Sequence, residues 1–113
     1  MTSRSKNRNT NSFEAPISAQ QNAISALECK KEYNLKHGTR IGWTRARQLA
    51  KGEKLSFNTI ERMYKFKRHR KNAEYKGNPC LDKGKVMWDA WGGDEGIEWA
   101  EKMFQRYKKG GKI

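Results

Sequence analysis

The chain has little of what catalytic, secreted or membrane proteins are built from. It holds two cysteines in 113 residues, and Cys29 and Cys80 stand far apart without a CxxC pattern. That spacing predicts two reduced thiols in a cytosolic protein, not a disulfide framework. A zinc site would have to gather His37, His69, Cys29 and Cys80 from scattered positions, so no metal is expected. Apolar runs end after a few residues, far short of the ~20 that a bilayer helix needs. The start, MTSRSKNRNTNS, also lacks the apolar stretch of a secretory signal. The expected protein is one that stays in the cytosol of its maker and has no membrane partner. Phosphate-binding loops, dinucleotide fingerprints and Ser-His-Asp patterns are missing, which predicts no enzyme activity, cofactor or small-molecule substrate. There is no internal repeat, and no window shows the strict alternation of a half-buried strand.

What the chain does have is positive charge. Lys and Arg number 25 against 12 Asp and Glu, a net charge of +13, and the mean hydropathy is -1.13. Such an excess favours a polyanionic partner through its field and through counterion release. The charge is also uneven, because Asp89, Asp94, Glu95, Glu98 and Glu101 gather in the last third while the centre is basic. At 13.2 kDa the chain has room for one small domain. Residues 1–16, with Arg4, Lys6 and Arg8 among Ser, Thr and Asn, read as a disordered basic arm. Residues 17–110 read as a single helical domain, and 111–113 as a tail.

Within the domain, start and stop signals mark out four to five short helices. Ser18 and Gln21 have the S-x-x-Q spacing of a capping box, opening a helix with Ala23, Ile24, Ala26 and Leu27 inward and fading near Tyr33–Asn34. Trp43–Lys51 reads as a second helix, with Ala46, Leu49 and Ala50 inward, Arg45 and Arg47 outward, and Gly52 as its stop. Ser56 is placed to cap a third helix from Phe57 to about Arg70, in which Phe57, Ile60, Met63 and Tyr64 recur at helical spacing. Asp82 would cap a fourth, holding Val86, Met87, Trp88, Ala90 and Trp91 before Gly92-Gly93. Asp94 would cap a fifth, in which Ile97, Ala100, Phe104 and Tyr107 step by three and four residues, closed by Gly110-Gly111.

Three groups of residues could carry function. Ala50, Leu55-Ser56, Thr59-Ile60 and Arg62 are spaced nearly as in a bacterial helix-turn-helix, although Lys54 stands where that motif has glycine. On that reading Ser56, Asn58 and Thr59 face a groove or phosphate; the other reading is two bundle helices joined by a capped turn. The second group is the run Arg62–Lys71, in which Arg62, Lys65, Lys67, Arg68, Arg70 and Lys71 alternate with Tyr64, Phe66 and His69. Together with Arg45 and Arg47 it predicts a phosphate-binding surface, with Tyr64 assigned to the core and Phe66 left open. The third is the tryptophan block. Trp88, Trp91 and Trp99 flank WGGDEG and read as core, with partner binding as the alternative role.

QNAISAL (Gln21–Leu27), GTRIGWTRARQLAKGEKLSFNTIERMYKFKRH (Gly38–His69) and VMWDAWGGDEGIEWAEKM (Val86–Met103) together resemble a small module of tailed bacteriophages. That module is met alone or attached to prohead proteases and other virion structural proteins. Its pattern is an Ala-rich helix, then RA-x-x-LA-x-G-x-x-LS-x-x-T-apolar-x-RM ending in Arg-His, then W-x-x-WGGD-x-G-x-x-WA. Lys67 interrupts what is usually a more aromatic run before the Arg-His. The resemblance covers about three quarters of the chain and implies a phage origin and a helical fold, without a catalytic residue. The combined expectation is a phage protein of the host cytoplasm or virion that binds nucleic acid, DNA above RNA, through its phosphates. The alternatives are a module docking on a capsid, portal or protease partner among the phage head proteins, and a host-directed regulator.

Overall fold

The computed structural model describes residues 12–109. Five α-helices are found among the described residues: α1 Ile17–Tyr33, α2 Arg40–Ala50, α3 Phe57–Lys65, α4 Lys83–Ala90 and α5 Gly93–Lys109. Two short 3-10 helices, Phe66–Ala73 and Pro79–Leu81, lie between α3 and α4. The all-α expectation holds, with one addition. Ser12–Phe13 (β1) pairs antiparallel with Leu55–Ser56 (β2), in the register Ser12 with Ser56 and Phe13 with Leu55. Phe13 and Ala15 are buried, so the ordered domain reaches back to Ser12 and the arm expected over 1–16 is ordered from there on. Residues 1–11, like the closing Gly110-Gly111, lie outside the described residues.

Alanine decides how α1 packs. Ala19, Ala23 and Ala26 are completely buried, and their short side chains let α2, α4 and α5 come close to the α1 backbone. Ile24, expected inward, is exposed. The capping box at Ser18 does not form. Pro16 takes the N-cap position, and its carbonyl accepts from the Ala19 and Gln20 N–H groups at 3.0 and 3.1 Å. A fixed φ and a missing N–H suit proline to this entry, and the helix starts directly after it. At the other end Asn34 adopts the left-handed conformation (φ 50) and closes the helix.

Other caps follow local chemistry. Ser56 Oγ accepts from the Thr59 N–H at 3.2 Å, and Asp82 Oδ1 accepts from the Lys85 N–H at 2.9 Å, both as expected. Thr39 caps α2 by accepting from the Gly42 N–H at 2.9 Å, so that helix starts a turn before Trp43. Asp94 is no cap. It sits in the first turn of α5, and its carboxylate accepts from Trp88 Nε1 at 2.8 Å. Gly92 and Gly93 carry φ 109 and 67, a left-handed pair that turns the chain between α4 and α5.

The helix-turn-helix spacing is met by the bundle reading. α2 packs on α1 and α4, whereas α3 packs on α5. Beneath α3 and α5 lies an aromatic cluster: Phe104 stacks on Phe57 at 5.5 Å and on Tyr64 at 5.0 Å, and Phe13 meets Tyr107 edge-on at 5.1 Å. The expected free thiols are a disulfide, with Cys29 and Cys80 joined across a sequence separation of 51. The fold sets the C-terminal half of α1 beside the Pro79–Leu81 turn, a proximity that no sequence spacing announces.

Candidate nucleic-acid interface

The third helix is shorter than its expected span. Apolar residues at helical spacing stop after Tyr64, and from Lys65 onward cations follow one another at intervals of three and four residues, where like charges repel. The α-helix ends at Lys65, and the chain continues as a 3-10 helix with no buried residue. That segment is carried across α4 by Phe66, which stacks on Trp91 at 4.8 Å with an interplanar angle of 13°. A close backbone approach holds its far end. A Cβ built on Gly84 would stand 1.9 Å from the Asn72 carbonyl oxygen, so only glycine lets α4 and the 3-10 helix meet there.

The result is a groove in two adjoining hollows that share Thr39, Phe66 and His69. The first, of about 390 Å³, is rimmed by Arg62, Lys65 and Arg68 and floored by Trp91, with Ile41 opposite. The second, of about 620 Å³, has Lys71 and Lys83 at its edge, Met87 at its base, and Asn72 and Glu74 as further polar groups. The expected basic surface is therefore partly a concavity. Lys67 lies outside both hollows, beside Tyr64, Lys65 and Arg68.

Ion pairs sort the cations. Lys65 pairs with Glu61 at 3.0 Å, Lys67 with Glu101 at 2.7 Å and Arg70 with Asp94 at 3.3 Å, all at exposed sites. The hydrogen bond to Glu101 raises the Lys67 ammonium above its ordinary value. Arg62, Arg68 and Lys71 have no carboxylate partner among the described residues.

Arg45 corrects the sequence reading. It is 6% exposed rather than outward, with its guanidinium 5.0 Å from the Trp91 ring centre. Its Nη1 donates to Gln48 Oε1, and its Nε has no partner. Burial, and after it the nearby charge of Arg62, pulls the guanidinium below its ordinary value. An arginine keeps its proton at neutral pH all the same. The floor of the first hollow thus lies against a buried positive charge that pairs with no acid among the described residues, next to Arg62. Helical position alone put Arg45 outward; the indole beside it, Trp91, arrives from the residue that closes α4.

The remaining candidates fall elsewhere. Arg47 is exposed on α2, where it donates to Thr44 Oγ1 at 3.4 Å, away from the groove lining. Ser56 and Thr59 are engaged with each other as a cap, while Asn58 is exposed one turn before Arg62. Trp88 and Trp91 are buried, and Trp99 is half-buried against the core, so the first two are not exposed anchors for a partner. Thr39, Ile41, Lys83 and Met87, which complete the groove, carried no signal in the sequence because each comes from a different element than the basic run. Among the described residues no three His, Cys, Asp or Glu side chains gather around a common point, and no helix is long and apolar enough to cross a membrane. No family model, curated protein or solved structure matches the chain.

Proposed function

We propose that this chain is a small basic phage protein that binds nucleic acid, DNA foremost, mainly through its phosphates. The observation that carries the reading is the set of uncompensated cations on one concave face. Among the described residues Arg62, Arg68 and Lys71 lack carboxylate partners there, near a buried Arg45 in the same condition. Isolated buried charge is costly, and a phosphate brought to the rim supplies the missing counter-charge. Lys65, Lys67 and Arg70 exchange solvent-exposed acid partners for phosphate at small cost, since such pairs contribute about 0–1 kcal/mol.

On this reading the protein acts in the host cytoplasm or within the virion during genome handling or packaging, with no catalytic group. Docking on a capsid, portal or protease protein is the weaker reading, since Trp88 and Trp91 face inward. Titration onto random-sequence DNA between about 50 and 200 mM salt tests the proposal, because phosphate-driven complexes lose orders of magnitude in affinity over that range. Absence of binding at the low-salt end would overturn it.

A further inference from the structure

The groove has a floor that phosphate binding does not need. Between the cations at its two ends lie the side chains of Phe66, His69, Trp91 and Met87. A surface built only to hold a duplex backbone has no use for an aromatic lining, because a duplex keeps its bases stacked inside and presents phosphates outward. A single strand presents both phosphates and π-faces, and proteins that hold single strands combine a cationic track with stacking platforms.

We infer that the groove bounded by Thr39, Phe66 and His69 takes the bases of an unpaired nucleic-acid strand while the cations at its ends hold the flanking phosphates. This rests on the nucleic-acid reading above and narrows it to a class of ligand. Three features favour a base in the hollow over a second phosphate. Phe66 is held flat against Trp91 at 13°, so its ring is already oriented and little freedom is lost when a base stacks on it. His69 touches Phe66 at 4.7 Å with its ring tilted by 48°, which extends the aromatic lining of both hollows. Glu74 lines the larger hollow beside Asn72, where a carboxylate repels phosphate yet accepts from an N–H on the edge of a base, such as the ring N–H of thymine or uracil, and the Asn72 amide can donate or accept.

The charge pattern is that of a nucleotide strand. Arg62, Lys65 and Arg68 gather at one end and Lys71 and Lys83 at the other, with the apolar floor between them. An acidic peptide would match the cations but would leave the aromatic floor and Glu74 without a counterpart.

Fluorescence anisotropy of the full chain with three labelled strands of equal length tests this: a short oligothymidylate, an abasic strand with the same phosphates, and a duplex. The expected result is that oligothymidylate binds about tenfold more tightly than the abasic strand, the equivalent of one stacked base. A preference over the duplex should accompany it. His69→Ala and Phe66→Leu should narrow the gap between the two strands, with folding followed by circular dichroism. Oligouridylate in a parallel arm separates RNA from DNA as the source of the strand. Equal affinity of wild-type protein for base-bearing and abasic strands would overturn the inference while leaving phosphate binding intact. No binding to any strand at low salt would overturn both. The wild-type comparison needs no variant and stands even where Phe66→Leu fails to fold.

Discussion

The stretch from Phe57 to Ala73 divides into two halves that spend similar sequence in opposite ways. In the first half, α3 buries Ile60 and Met63 completely and lies on α5 with Phe57 and Tyr64 against Phe104. In the second half, the 3-10 helix buries nothing, is held by the stacked Phe66 ring, the Gly84 contact and the ion pairs of Lys67 and Arg70 with α5, and exposes its cations. The difference shows that the same cation-rich chain becomes scaffold where apolar residues return every three to four positions. It becomes surface where they stop.

Breaking the first half should have the largest effect. Met63→Ala removes a fully buried side chain at the junction of α3 with the core. It should cost about 3 kcal/mol, read as a lowered midpoint in urea unfolding. An effect below about 1 kcal/mol would mean that α3 is no more fixed than the segment after it.

The second half should respond to the contact that sets its position. Gly84→Ala drives a methyl group into the Asn72 carbonyl and should cost about 2 kcal/mol by overpacking. Because the displaced segment carries the groove wall, DNA affinity should fall as well. Unchanged affinity in a folded variant would separate the groove from the binding surface.

Ser56→Ala should cost about 1 kcal/mol in thermal unfolding, since it removes the cap of α3 and leaves the Thr59 N–H unpaired. That loss belongs to the first half alone.

Stability should be least affected by the change that affects binding most. Replacing Arg62, Lys65 and Arg68 with Ala should alter stability by less than about 0.5 kcal/mol, because all three are exposed. The slope of log affinity against log salt should flatten by about one unit per lost phosphate contact. An unchanged slope would place the phosphates elsewhere.

The sequence showed these halves unequally. Local chemistry was legible: the caps at Ser56 and Asp82, the fading of α1 near Tyr33–Asn34 and the inward stripe of α3 each depend on residues a turn apart, although the stop falls at Asn34 rather than at His37-Gly38. Ser18 misled because Pro16 had already fixed the helix entry two positions earlier. The basic run was legible as charge but not as a groove wall, since the opposite wall of Thr39 and Ile41 belongs to another helix. Arg45 and the Cys29–Cys80 bond were read wrongly for one reason: burial and bonding there are decided by elements that meet only in the folded chain.

The bond between Cys29 and Cys80 encloses α2, α3 and the longer 3-10 helix within a covalent ring. The exposed stretch from Glu74 to Pro79 lies inside that ring. A protease that cuts there breaks the backbone without making two molecules. The nicked protein migrates as one piece until a reductant is added, and only then separates into fragments.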